Sequence, residues 1–217
     1  MKKIILIAVV FTGSYLFTNA QIKKDAILLG GQVSFYSAKN TGTPTPPDSK
    51  NNGAALNLSL GKAVNENTVA GVYAGYGKNK AENYYNGSTY YTSTTSNYSA
   101  GLFYRKYKNF TKNCYFFGEI NGGFSGYKQS TENVQPSSNK SVYTQNGIQL
   151  GITPGLSYQI YKKLQLEILI PSVAGISYAS TKSTNQTTTI KGSIFQLSTS
   201  LNASLLNNVA LGFKFVL

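Results

Sequence analysis

The sequence predicts an all-β chain: an antiparallel up-and-down transmembrane β-barrel of about eight strands, preceded by a cleaved amino-terminal signal peptide. Three observations predict it. Apolar and polar residues alternate with period two through most of the chain. The connections alternate between short and long, and the first twenty residues read as an export leader.

The leader comes first. Lys2 and Lys3 open it, an apolar run from Ile4 to Phe11 extends more weakly to Phe17, and Thr18, Asn19 and Ala20 end it. A basic start, an apolar stretch and a small residue at the cut describe a signal peptide over residues 1–20. Its apolar core is shorter than the roughly 20 residues a membrane-crossing helix needs. Residues 21–217 then form one barrel domain, and loss of Lys2 and Lys3 takes the formal charge from +13 to +11.

Strand by strand, Ile27, Leu29, Gly31, Val33 and Phe35 share one face, against Gly30, Gln32, Ser34 and Tyr36. Leu56, Leu58 and Leu60 repeat the pattern, followed by Ala70, Val72, Ala74 and Tyr76, then Tyr98, Ala100, Leu102 and Tyr104. Phe116, Ile120 and Phe124 form a fifth apolar face, opposite Phe117, Glu119 and Asn121. The clearest case spans 147–160, where Ile148, Leu150, Ile152, Pro154, Leu156, Tyr158 and Ile160 alternate with Gly, Gln, Thr and Ser. Leu166, Ile168 and Ile170 follow, then Phe195, Leu197 and Leu201, and finally Leu211, Phe213, Phe215 and Leu217. At about ten spanning residues plus half of one short and one long connection per strand, the chain after residue 20 accommodates eight. The stretch 191–217 is too long for one strand and leaves room for a ninth or tenth short one.

Alternation alone does not place a barrel in a membrane, but the chemistry of the faces does more. The second face carries Gly, Ser, Thr, Asn and Gln with few charges, which suits a narrow polar interior and sends the apolar face outward to lipid. Short turns near 62–67, 107–113 and 160–163 alternate with long polar segments at 37–52, 78–95, 127–144 and 179–191. Sorting of loop length by end is the habit of outer-membrane barrels. The alternative is a soluble secreted or periplasmic barrel holding a small hydrophobic ligand.

Composition narrows the function. There is no His, which removes most nucleophile–base dyads and the commonest transition-metal ligand. A single Cys, Cys114, excludes an internal disulfide and a Cys-cluster zinc site. The expectation is therefore no enzyme, no catalytic residue, no metal and no cofactor.

Four charges fall on the polar faces: Arg105, Glu119, Glu167 and Lys214. They are expected to meet in the lumen as a charge network that plugs it, since unpaired charges there are costly. Aromatics near the short turns (Tyr104, Tyr107, Phe110, Tyr115, Phe116, Tyr158, Tyr161) and near the long loops (Phe35, Tyr76, Phe124, Tyr127, Tyr178) are expected to form two interfacial belts. Tyr84, Tyr85, Tyr90 and Tyr91 sit in the long second loop as candidate contacts for an extracellular ligand of unknown identity. The Lys residues form no basic stripe, so anionic lipid and lipopolysaccharide are the expected partners, and nucleic acid is not.

These residues resemble the small outer-membrane β-barrel proteins of Gram-negative bacteria, the porin-family or outer-membrane-protein β-barrel group. Phe103-Tyr104-Arg105-Lys106-Tyr107 looks like the group's aromatic-Arg-aromatic strand end. Thr153 to Tyr158 with Leu164 to Glu167 adds to the likeness, and Leu211 to Leu217 is similar to its closing strand, although Leu217 stands where an aromatic is common. The resemblance covers roughly residues 26–217. It implies an eight-stranded barrel in the outer membrane, inserted by the barrel-assembly machinery, without enzymatic activity and with a structural, adhesive or narrow-pore role.

Overall fold

The computed structural model describes residues 22–40, 48–85, 88–133, 139–170, 172–185, 187–199 and 210–217; for 85 and 88–90 only the backbone is described. The leader of residues 1–20 and the stretch Asn202 to Asn208 lie outside them. Ten antiparallel segments run β1 (Ile27–Asn40), β2 (Ser49–Asn65), β3 (Thr68–Tyr85), β4 (Ser88–Asn109), β5 (Cys114–Asn133), β6 (Lys140–Tyr161), β7 (Leu164–Leu169), β8 (Ala174–Thr184), β9 (Thr189–Thr199) and β10 (Ala210–Val216).

They build a closed barrel of eight staves. β1 to β6 each form one stave, β7 and β8 share the seventh, and β9 and β10 share the eighth. The upper part of β6 pairs with β8 and its lower part with β7; across the break, Ile170 N–H donates to Pro154 O and Val173 N–H to Ile152 O. Ser172, at φ 49°, makes that bend. The ring closes through β1 and β10, paired from Leu28↔Val216 to Gly31↔Phe213. Above Gly31, the edge of β1 turned away from β2 and the edge of β9 turned away from β8 have no ladder partner among the described residues.

The apolar faces point outward. Leu150 is 52% exposed and Ile152 46%, whereas Ser157, of opposite parity, is fully buried. An aqueous sheet would bury the first set; a sheet facing acyl chains leaves it outside. Inside, small residues permit the curvature that an eight-stave cylinder demands. At Gly71 a Cβ would stand 2.2 Å from Leu60 O, and at Gly123 2.2 Å from Ala100 O, so neighbouring backbones approach too closely for any side chain.

Two expectations need correction. The long segments are mostly strand: β4 and β6 each run 22 residues, about 70 Å of strand at ~3.3 Å per residue, while a crossing takes only 9–11 residues. Beyond the apolar belt the ladders continue with Ser, Thr, Asn and Lys, which carry no alternation signal. For the same reason the sequence reading missed β8, where only Ile176 and Tyr178 mark the outer face.

The short-turn end of the cylinder holds the packed core. Ile22, Leu28, Ala63, Val69, Phe103, Tyr107, Tyr115, Phe117 and Leu169 cluster there. Ile22 is pinned through both of its backbone groups: its N–H donates to Asn67 Oδ1 at 3.2 Å, and Asn67 N–H donates to its carbonyl at 3.0 Å. Asn67, at φ 56°, forms the tight β2–β3 turn, a backbone conformation Asn tolerates better than most residues. Tyr107 and Tyr115 thus lie inside instead of in the lower belt, and Tyr127 faces inward against Tyr143 instead of joining the upper one. Tyr107 shares the parity of Arg105, and that decides its side. Tyr104, Phe110, Phe116 and Tyr161 stay exposed below, as do Phe35, Tyr76, Phe124 and Tyr178 above.

Candidate functional site

Directly above that apolar core, four strands send charged side chains into the lumen. Arg105 on β4 and Glu119 on β5 are direct cross-strand partners. Glu167 on β7 and Lys214 on β10 lie on adjacent staves, one opposite Gly212 and the other opposite Gln165, so they meet diagonally. Arg105 reaches across the cylinder to join the two pairs.

Its guanidinium satisfies both acids. Nε and Nη2 donate to Glu119 Oε2 at 2.8 and 2.7 Å, and Nη1 donates to Glu167 Oε1 at 2.6 Å. The plane lies over the Phe117 ring, 4.1 Å from its centroid, an arrangement suited to a delocalised cation. Tyr107 OH accepts from Nη1 at 3.1 Å and donates to Glu167 Oε1 at 3.3 Å. Asn121 Nδ2 donates to Glu119 Oε1 at 3.2 Å. Two positive and two negative side chains cancel formally, which offsets much of the desolvation cost of placing them inside.

Lys214 is the loosest member. It is 2% exposed, and its Nζ lies 3.5 Å from Glu167 Oε1 without a well-formed hydrogen bond. Gly30 gives it room, because a Cβ there would come within 2.8 Å of Lys214 Cε.

Above the charges opens a chamber of about 210 Å³. Its polar wall includes Gln32, Asn57, Ser59, Tyr73, Ser99 and Gln149. Asn57, Ser99 and Gln149 also line a second recess on the long-loop side, with Gln145 and Tyr127. Higher still, Ser93 Oγ accepts from Gln129 Nε2 at 3.0 Å, and Tyr143 OH donates to Gln145 Oε1 at 3.3 Å, so the inner wall stays polar and hydrogen-bonded.

All four charges selected from the sequence therefore meet at one place. The tyrosines selected as loop contacts are placed differently: Tyr84 and Tyr91 belong to β3 and β4 and Tyr85 ends β3, since the hairpin continues as ladder to its tip. Tyr84 OH donates to Glu82 Oε2 at 2.6 Å on the barrel wall, beside Lys80. The side chains of Tyr85 and Tyr90 lie outside the described set. Sequence reasoning missed Tyr73, Tyr107 and Asn121; their parity with Arg105 and Glu119 was the signal that could have found them.

No protein-family model matches the chain, and no curated protein sequence does. Among solved structures it is similar to a major outer membrane protein from Thermus thermophilus, at 9% identity over 88% of this chain and 98% of that one, with TM-score 0.44. It is similar also to Neisserial surface protein A, at 15% identity over 88% and 97% with TM-score 0.38. The outer membrane protein AlkL, studied in lipid bilayers, aligns at 12% identity over 94% and 93% with TM-score 0.42.

Proposed function

We propose that this chain is an outer-membrane β-barrel, exported by the leader of residues 1–20, whose lumen is blocked at the short-turn end and whose role is structural or adhesive, with no reaction to catalyse. One observation carries the reading: a closed cylinder exposes Leu, Ile, Val and Phe around its waist while burying Arg105, Glu167 and Lys214 within. Only a surrounding apolar solvent makes that inversion stable. Exposed rings bracket the waist, Tyr104, Phe110, Phe116 and Tyr161 below and Phe35, Tyr76, Tyr98, Phe124 and Tyr178 above, which suits two bilayer interfaces. Lipid and lipopolysaccharide are the partners this surface fits, and β10 is the strand that would engage the assembly machinery.

Blockage rests on two stacked layers. The Arg105–Glu119–Glu167–Lys214 layer lies over the apolar layer built around Ile22, Tyr107 and Tyr115. In planar bilayers the refolded barrel is expected to show no steady conductance, and cell fractionation is expected to release it only with detergent. Ion currents of discrete size would replace this reading with a narrow pore. Free release with the periplasm would favour the soluble ligand-binding barrel.

A further inference from the structure

The sheet assembles a line of lysines that no stretch of the sequence contains. Across the staves Lys78 pairs with Ser96, Ser96 with Lys128, Lys128 with Thr144, Thr144 with Lys182, and Lys182 with Lys191. All four lysines are exposed. They share the parity of Tyr76, Phe124, Tyr178 and Phe195 on their own strands, which is the outer face. No acid stands in the line. Elsewhere on the upper wall a lysine has one beside it: Lys80 bridges Glu82, and Lys140 lies opposite Glu132. Among the described residues Lys78, Lys128, Lys182 and Lys191 form no ion pair. Lys182 and Lys191 are direct cross-strand partners, which sets their Cβ atoms about 5 Å apart, and like charges so placed repel. An anion between the two ammonium groups turns that repulsion into attraction.

The wall beneath decides what carries the anion. Four residues lower, about 13 Å along the strands, runs the exposed row Phe124↔Ile148↔Tyr178↔Phe195. Between the two rows lie Asn146, Ser180 and Ser193, exposed and polar. An occupant with an anionic head, a polar middle and an apolar tail meets all three levels. An acidic peptide would leave the apolar row uncovered, and free phosphate would reach only the lysines.

We propose that the outer wall of β5, β6, β8 and β9 holds a lipid bearing two phosphate groups, its phosphates on Lys128, Lys182 and Lys191 and its acyl chains on Ile148, Tyr178 and Phe195. A phosphomonoester carries a charge of about −1.5 to −2 at neutral pH, which matches the Lys182 and Lys191 pair. Lys128, two staves away at about 10 Å, takes the second phosphate. Each ammonium held against an anionic headgroup corresponds to about a fivefold change in affinity.

The inference rests on the outer-membrane reading and names one lipid contact within it. The test refolds the full mature barrel in neutral detergent and titrates it with bisphosphoryl lipid A, monophosphoryl lipid A, phosphatidylcholine and inorganic phosphate, counting bound molecules by native mass spectrometry. Saturable retention of the bisphosphoryl lipid is expected, with the monophosphoryl form about fivefold weaker. The double variant Lys182→Gln/Lys191→Gln should weaken retention more than about tenfold, and Lys106→Gln/Lys108→Gln, exposed at the short-turn end, should leave it unchanged. Heat-dependent gel migration checks folding; should the double variant fail to fold, Lys128→Gln decides, with about a fivefold loss expected. Retention unchanged in the lysine variants overturns the proposal, as does equal loss in the short-turn control. Equal affinity for phosphatidylcholine or for free phosphate overturns it too. A barrel that never enters vesicles would sink the outer-membrane reading, whereas one that inserts but holds no lipid through these lysines sinks the site alone.

Discussion

Replacing Glu167 with glutamine keeps the shape of the lumen cluster and removes one negative charge. Arg105 retains Glu119 at 2.7 Å, but Lys214 loses the carboxylate 3.5 Å away, so two buried cations face one anion. Breaking a buried network from one side costs about 3–5 kcal/mol. The glutamine oxygen can still accept from Arg105, so the lower end, about 3 kcal/mol, is expected. Lys214→Met alone should cost about 1 kcal/mol or less, because losing a 3.5 Å contact is offset by no longer desolvating an ammonium. The double variant leaves Arg105 and Glu119 balanced and should cost only about 1–2 kcal/mol, a coupling near 2 kcal/mol. The assay is urea unfolding in lipid vesicles, followed by far-ultraviolet circular dichroism and gel migration, since the chain has no Trp. A loss under about 1 kcal/mol for Glu167→Gln, or additivity of the two changes within about 0.5 kcal/mol, would refute the charge-balance argument.

Other expectations follow from single residues. Ile22→Ala removes a 2%-exposed side chain from the core at the short-turn end and should destabilise the barrel by about 2–3 kcal/mol in the same unfolding assay. Gly123→Ala forces a Cβ against Ala100 O, and a loss of about 1–3 kcal/mol with reduced refolding yield is expected. Gly118→Ala, where a Cβ meets nothing within 4 Å, is the matched control and should refold as the parent does. The Lys62 ammonium, 2.8 Å away, holds the Asp25 carboxyl below its ordinary value of 3.8. Its small, solvent-screened contribution is full above that value and is lost as pH falls through the lowered one. Stability measured against pH should thus differ between parent and Asp25→Asn near neutrality and converge in strong acid.

How much of this was legible in the sequence follows from where alternation carries information. Within the apolar belt, parity assigned every charge correctly: Arg105 opposes Tyr104, Glu167 opposes Leu166 and Ile168, and Lys214 opposes Phe213 and Phe215, so each had to face inward. Tyr107 broke the aromatic-belt reading because proximity to a turn was weighed above parity. Above the belt both faces of the strands are polar or wet, and period two loses its contrast; the upper part of β3, from Lys78 to Tyr85, and the upper part of β8, from Ala179 to Thr184, therefore read as loop, and Ala174 to Tyr178 were assigned to no strand. The docking of Ile22 on Asn67 left no trace in any periodic pattern, being one residue held by a turn 45 positions away. Nor could the convergence of Lys214 and Tyr73 on one chamber be read, since it depends on which staves become neighbours when the ring closes.

The wall is also unevenly sewn. β4 and β5 are laced from Tyr91↔Asn133 down to Asn109↔Tyr115, yet among the described residues the closing joint runs only from Ile27 to Gly31 on one lip and from Phe213 to Leu217 on the other. Among the described ladders this hem is the shortest, and it is expected to part first under load. It is also along that line that lateral pressure from the bilayer, or a pull on the first strand, would be felt before any other stave moved.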